Sequence, residues 1–215
     1  MKKDEFLFEQ EKHIYRLNGE VIPSTTQLLA EFALYDLSQV PKDRLKYKQG
    51  LGIAVHYACD LLDDCSLDES SLHQDLVPYV NAYKKFREVT GFEPRHSELR
   101  MYSKKWKFAG TLDKQGPFVW QGKEQESIID LKCVWSMYPS TGPQTAGYEI
   151  LFNENFKDVK VKARFGLQLK ESGHYEVYPF TDKTDQNTFL SCLQLHYWRK
   201  RHNQKGEVKN AASCN

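Results

Sequence analysis

SIIDLKCVW (residues 127–135) is an apolar segment that carries Asp130 and Lys132 in its middle. Its β-branched and apolar residues predict a strand inside a sheet. Side chains two residues apart on a strand share a face, so Asp130 and Lys132 lie on one face while Ile129 and Leu131 lie on the other. A buried carboxylate costs several kcal/mol unless it has a partner, and a metal ion is one such partner.

A second carboxylate, Asp113, precedes Asp130 by 17 residues in KFAGTLDKQGPFVW (residues 107–120). The pattern predicts strands at 107–113 and 117–120 with a turn at 115–116, so Asp113 would end its strand and could meet Asp130 on the adjacent strand. Carboxylates that converge with a lysine form a site suited to Mg²⁺ or Mn²⁺ rather than zinc. In such a site the lysine can orient or deprotonate a water that attacks phosphorus.

Composition limits the class of protein. The chain has 215 residues, of which 40% are hydrophobic and 27% charged, with a formal net charge of +1. These values fit one globular domain, in which any contact with nucleic acid would have to come from local basic patches. Its five cysteines form no CxxC pair, which argues against a zinc site or a disulfide scaffold. Without a signal peptide or an apolar run of roughly 20 residues, the expectation is a cytoplasmic protein with no membrane contact.

The remaining pattern predicts alternating helices and strands. The Asn18-Gly19 turn predicts an N-terminal hairpin, and a capped helix follows Ser24. Residues 36–48 are expected to form a polar loop, and a helix from about 50 to 64 to bury Ile53 and Tyr57. The acids between residues 60 and 75 are expected to face solvent. Further elements are predicted as helices at 72–90, from 143 and at 183–202, and as strands at 97–102, 159–170 and 174–180.

GTLDK followed by IIDLKC resembles the core motif of the PD-(D/E)XK nuclease superfamily, in the branch that contains RecB-type nuclease domains and lambda-type phage exonucleases. Four more elements are similar to that branch in kind and order. They are the run from His13 to Thr26 (H-x-Y-x-x-x-G-x-x-x-P-S-T-T), Gly52-x-x-x-His56, Glu98 in RHSELRMYS, and Gln144-x-x-x-Tyr148. The resemblance covers residues 13–180 and is closest to the phage-type exonucleases.

The resemblance implies a role for each matching residue. Asp113 would be the central metal ligand and Asp130 the second, helped by the carbonyl of Leu131. Lys132 would position the nucleophilic water. Two further ligands, or residues that support the ligands, would be His56 and Glu98. Taken alone, Asp113, Asp130 and Lys132 could instead be a buried ion pair with one spare carboxylate.

DNA contacts are expected at several places. By the resemblance, Gln144 and Tyr148 would either contact the DNA strand or brace the site. Lys104 and Lys105 flank Trp106 just before the Asp113 strand, and basic residues beside an aromatic suit phosphate binding and base stacking. Two more basic stretches, WRKRH at 198–202 and the alternating basic residues of 160–164, are expected to face the DNA. For WRKRH, cations that stabilise the end of a helix are the alternative.

The resemblance also implies an architecture and an activity. The expected fold is α/β, with a restriction-endonuclease-like core of a central mixed sheet flanked by helices. Residues 1–203 would form one nuclease domain, with a hairpin and helical cap at 1–92, the catalytic core at 93–203 and a flexible tail at 204–215. The activity would be a Mg²⁺-dependent DNA exonuclease in phage or bacterial recombination or repair, with Mn²⁺ as a substitute metal.

Two other functions stay open at this level. One is a structure-specific endonuclease on the same fold, and the other is a DNA-binding module without catalysis. The spacing of the cysteines argues against an iron–sulfur cluster, and no G-x-x-x-x-G-K-[ST] loop suggests a nucleotide. The expected partners are linear duplex or single-stranded DNA ends, a single-strand annealing or binding protein, and further copies of the chain.

Overall fold

The computed structural model describes residues 4–34 and 40–212, the last ten of them as backbone only. Part of the predicted loop at 36–48 therefore lies outside the described residues. A small antiparallel sheet of β1 (Phe6–Glu9), β2 (Ile14–Leu17) and β3 (Glu20–Ile22) comes first. Its β2–β3 turn is the predicted hairpin, because Asn18 and Gly19 both adopt positive φ (52° and 81°), as a tight two-residue turn requires. The strand β1 was not predicted.

The main sheet has five strands in the order β4-β5-β6-β7-β8. All neighbouring pairs are antiparallel except β6 and β7, which are parallel and are connected through a helix. This mixed sheet confirms the predicted α/β fold class. The strands are β4 (His96–Tyr102), β5 (Ala109–Trp120), β6 (Lys123–Lys132), β7 (Ala163–Leu169) and β8 (Tyr175–Pro179).

Helices cover both faces of this sheet. The five α-helices are α1 (Thr25–Glu31), α2 (Lys42–Asp63), α3 (Val77–Thr90), α4 (Thr141–Asn155) and α5 (Asp185–Ala212). On one face, α2 and α3 pack against a core that contains Phe86 and Leu131. On the other face, α1, α4 and α5 enclose a second core around Phe152 and Phe189. Burial of each such apolar side chain contributes about 1.5–3 kcal/mol to the stability of the fold. Strand β6 lies between the two cores.

The predicted turn at residues 115–116 is wrong, because β5 is one continuous strand. Gly116 pairs with Ser127 in the β5–β6 ladder. A Cβ on Gly116 would lie 2.7 Å from the carbonyl oxygen of Glu93. A glycine at this position therefore allows the backbone that leads into β4 to pass close to β5. The chain turns instead at Gln121–Gly122, where both φ angles are positive. Asp113 therefore lies within a strand rather than at its end.

The predicted start of α2 and the predicted burial of Ile53 and Tyr57 are also wrong. The helix begins at Lys42, eight residues before the predicted start, and its buried residues are Leu51, Val55, Ala58 and Cys59. Ile53 and Tyr57 are exposed instead. Apolar residues occur on two adjoining faces of this helix, and the packing of α3 decides which of them is covered. At the other end of the chain, α5 continues to Ala212, beyond its predicted end at residue 202. Among the described helices, none combines the length and apolar character needed to span a bilayer.

Candidate metal centre

Three potential metal ligands converge at the main sheet. His56 lies on α2, Glu98 on β4 and Asp113 on β5, and one ligand atom from each lies within 4.8 Å of the others. The Nδ1 atom of His56 is 3.6 Å from Asp113 Oδ1 and 3.8 Å from Glu98 Oε1. An imidazole nitrogen with two carboxylates is a donor set that suits Mn²⁺ and related divalent cations, and the oxygen donors suit Mg²⁺.

A hydrogen bond sets the orientation of the His56 ring. His56 Nε2 lies 3.1 Å from the carbonyl oxygen of Leu131. Because a carbonyl only accepts, Nε2 carries the hydrogen and donates it, so the Nδ1 lone pair of a neutral ring faces the two carboxylates. Histidine ligands are commonly held in this way by a backbone carbonyl. Burial lowers the pKa of His56, but Asp113 and Glu98 outweigh it and the net shift is upward.

The backbone of Leu131 also fixes Asp113. Its N–H donates to Asp113 Oδ2 over 2.7 Å. The described ladder between β5 and β6 ends at Lys114 and Ile129, although β6 continues to Lys132. The Asp113 carboxylate thus accepts a hydrogen bond from a backbone N–H that lies beyond the last paired residues of the β5–β6 ladder. The predicted metal-ligand role of the Leu131 carbonyl stays a prediction, since in this structure that oxygen accepts from His56.

Glu98 combines backbone strain with an unsatisfied carboxylate oxygen. Its φ of 46° lies in the left-handed region, which non-glycine residues rarely adopt and which costs on the order of 1–3 kcal/mol when the structure imposes it. Its Oε1 atom is buried and has no hydrogen-bond partner among the described residues. A strained residue that aims an unpaired buried oxygen at a histidine and an aspartate fits a bound cation, which would satisfy all three.

Asp130 lies beside this trio with partners of its own. Gln144 Nε2 donates to Asp130 Oδ1 over 3.1 Å and lies 3.1 Å from the hydroxyl of Tyr148. Lys132 Nζ forms an ion pair with the other carboxylate oxygen, Asp130 Oδ2, at 2.5 Å. Asp130 and Lys132 share a face, as predicted. Tyr148 is only 4% exposed. Both predicted roles of Gln144 and Tyr148, bracing of the site and contact with DNA, stay predictions.

Charge is poorly balanced in this cluster. Burial raises the pKa of Asp130 to about 6, because it outweighs the attraction of Lys132 and adds to the repulsion of Asp113. Burial likewise raises the pKa of Asp113, against the attraction of His56. Burial lowers the pKa of Lys132, but Asp130 and Asp113 outweigh it, so the net shift is upward and the ammonium stays charged. The buried Asp113 and Asp130, with the partly exposed Glu98 beside them, carry more negative charge than one lysine balances.

The metal-free protein is expected to lose stability relative to Asp130→Asn as the pH rises from 4 to 7. The folded state holds the Asp130 proton more tightly than the unfolded chain, whose carboxyl has a pKa of 3.8. The stabilisation that the bound proton gives the folded state is therefore fully present below pH 3.8 and is lost as the pH rises through about 6. The difference in unfolding free energy between the two proteins should change by about 3 kcal/mol. Denaturant unfolding with EDTA at several pH values measures it, and a pH-independent difference would contradict it.

The predicted basic patches have different environments. Lys104 Nζ lies 2.9 Å from Asp4, and Lys105 Nζ lies 4.5 Å above the Trp106 ring. Trp106 packs partly against the core of α1, α4 and α5, and its stacking on a base stays a prediction. The expectation that Arg164 faces DNA is wrong, because Arg164 is buried and pairs with the carboxylates of Glu149 and Asp185.

A buried charge network behind the trio was missed from the sequence. Lys114 is 0% exposed, and its Nζ lies 2.6 Å from Asp63 and 3.5 Å from Asp60. Asp63 also pairs with Arg87 at 3.0 Å. The expectation that the acids from residue 60 onward face solvent is therefore wrong for Asp63. The available signal was spacing, since Asp60 and Asp63 follow His56 by four and seven residues and so lie on the same helix face.

No protein-family model matches this chain, and no curated protein sequence matches it. The chain is similar to the crystal structure of a protein from Eubacterium rectale named as a "putative exonuclease". The two have a TM-score of 0.48 and 13% sequence identity, over 73% of this chain and 68% of the other. This similarity concerns the path of the chain and assigns neither residues nor activity.

Proposed function

We propose that this chain is a metal-dependent deoxyribonuclease of the PD-(D/E)XK type. The observation that carries the proposal is the convergence of His56, Glu98 and Asp113 next to the buried Asp130 and its partner Lys132. Strain and an unpaired carboxylate oxygen at Glu98 support a cation at this place. A metal site would account for all five charged or ionisable groups, which come from three strands and one helix. A structural ion pair would account for only two of them.

In the proposed site, His56 Nδ1 and the carboxylates of Glu98 and Asp113 would hold the metal, with Asp130 as a further ligand. A bound Mg²⁺ would supply positive charge for the phosphoryl oxygens and make a coordinated water more acidic. The remaining work falls to the chain itself. The backbone of Leu131 keeps both ligands in place, since its N–H donates to Asp113 and its carbonyl oxygen accepts from His56.

Lys132 is proposed to orient the attacking water or the scissile phosphate. Its ammonium group stays charged, because the net shift of its pKa is upward. A charged ammonium donates hydrogen bonds and cannot accept a proton, so Lys132 would act by position and charge rather than as the general base. Gln144 holds the opposite oxygen of Asp130 and so keeps the carboxylate turned toward Lys132.

An exonuclease that starts at linear DNA ends is the form of this activity that the resemblance favours. Its place in phage or bacterial recombination, a single-strand annealing partner and assembly with further copies of the chain belong to the same expectation. Hydrolysis within a strand, by a structure-specific endonuclease, is the alternative outcome of the experiment below.

Labelled linear and covalently closed circular DNA, each incubated with Mg²⁺, Mn²⁺ or EDTA, test the proposal. We expect loss of the linear DNA with either metal and none with EDTA, because the carboxylates need a cation to bind phosphate. Cutting of the circle as well would assign an endonuclease. Binding of DNA without hydrolysis in either metal would overturn the nuclease proposal in favour of a binding module. Calorimetric titration with Mn²⁺ provides the matching control for metal binding without DNA.

A further inference from the structure

One exposed face of α2 leads along the helix to the metal centre. Lys42, Lys46, Gln49, Ile53 and Tyr57 are spaced four, three, four and four residues apart, so they lie within one face of the helix. All five are exposed, including Ile53 at 73% and Tyr57 at 64%. We call these five residues the α2 stripe. Its last residue directly follows His56 in the sequence.

The first two turns of α2 carry an excess of positive charge. Lys42, Arg44, Lys46 and Lys48 occur there with a single acid, Asp43. Lys48 pairs with Glu171 at 3.8 Å, whereas Lys42, Arg44 and Lys46 form no ion pair within the described part of the chain. Cations at the start of a helix oppose its dipole, so helix stability does not explain them. A surface that binds a polyanion would use them.

The apolar half of the α2 stripe lies nearest to the metal centre. Ile53 and Tyr57 are two of the large apolar side chains that the described surface exposes most, and His56 lies between them in the sequence. Beyond β6, Trp135 follows Lys132 by three residues and is 99% exposed. Exposed aromatic rings suit unpaired bases, which stack on them, whereas an intact duplex presents mainly phosphates.

The geometry points to a substrate strand with unpaired bases. We propose that the α2 stripe binds single-stranded DNA, with phosphates at Lys42 and Lys46 and a base stacked on Tyr57, and directs the strand toward His56. From Lys46 to His56 the helix rises roughly 15 Å, a length of a few nucleotides. This inference rests on the proposed nuclease function and adds its substrate class, a single strand or a frayed end.

Binding without hydrolysis tests the inference. Fluorescence anisotropy of a labelled single-stranded oligonucleotide and of a blunt duplex, both in EDTA, gives their dissociation constants. Tyr57→Ala should weaken single-strand binding roughly five- to hundred-fold, because one stacked base is lost. Tyr57→Phe, which keeps the ring, should stay within about twofold of the unchanged protein. Lys42→Ala and Lys46→Ala should each reduce the slope of log affinity against log salt by about 0.7.

Matched controls lie on α3. Val89→Ala and Lys85→Ala remove an exposed apolar and an exposed basic side chain outside the α2 stripe, and both should leave binding unchanged. Single-strand binding by Tyr57→Ala within twofold of the unchanged protein would overturn the inference, as would an equal loss for the blunt duplex. If the chain hydrolyses DNA but Tyr57→Ala binds the single strand normally, the inference about the α2 stripe is wrong while the nuclease proposal stands. If the α2 stripe binds single strands and no metal supports hydrolysis, the nuclease proposal fails alone.

Discussion

Lys132→Ala is expected to slow DNA hydrolysis roughly a hundred- to a thousand-fold, the usual cost of removing one positioned donor from a charged site. The ammonium group lies 2.5 Å from Asp130 and remains protonated, so its removal takes away both a donor and a positive charge. Mn²⁺ binding should be retained or become tighter, because less positive charge then opposes the cation. Single-turnover hydrolysis and calorimetry with Mn²⁺ measure the two effects separately.

Lys123→Ala is the matched control, since Lys123 begins the same strand and is exposed. It should hydrolyse DNA at the unchanged rate. Asp113→Ala provides the opposite comparison, because it should lose hydrolysis and Mn²⁺ binding together. Hydrolysis by Lys132→Ala within about threefold of the unchanged protein would contradict the proposed role of the lysine, and so would a loss of Mn²⁺ binding in a folded variant.

Lys114→Met should lower the free energy of unfolding by about 3–5 kcal/mol, the range measured when one partner of a buried ion pair is removed. Lys114 is fully buried, and its Nζ contacts Asp60, Asp63 and the hydroxyl of Ser97. Without the lysine, Arg87 still pairs with Asp63, but Asp60 loses the cation beside it. Denaturant unfolding followed by circular dichroism measures the loss.

Two further variants separate charge from packing. Lys85→Met makes the same substitution at an exposed position of α3 and should change stability by less than about 0.5 kcal/mol. Lys114→Met combined with Asp60→Asn leaves the neutral Asp63–Arg87 pair and should recover part of the loss. If the double variant is no more stable than Lys114→Met, the unpaired carboxylate is not the cause of the destabilisation.

Local patterns, together with the family resemblance, led to the α/β fold class and to the candidate site residues. The apolar run around Asp130 has the length and composition of a buried strand, and the spacing of 17 residues to Asp113 correctly indicated the adjacent strand. The position of His56 relative to Asp113 came from the resemblance to a known motif. These features depend on neighbours in the sequence or on residues that a known pattern brings together.

Features that depend on distant partners were not predictable in this way. Lys114 looks like a solvent-facing lysine until Asp60 and Asp63, more than 50 residues earlier, are placed against it. The exposure of Ile53 and Tyr57 depends on which face of α2 the rest of the fold covers. Glu98 gave no sign of its left-handed backbone, because that conformation is imposed by its surroundings rather than by its residue type.

One helix carries both the α2 stripe and His56, and this arrangement has a thermodynamic consequence. If DNA lies along the stripe, any shift of α2 that it favours also moves the imidazole, and the His56–Leu131 bond transmits the shift to β6. Substrate and metal then bind with mutual dependence. By linkage, the factor by which the metal raises the affinity for DNA equals the factor by which DNA raises the affinity for the metal.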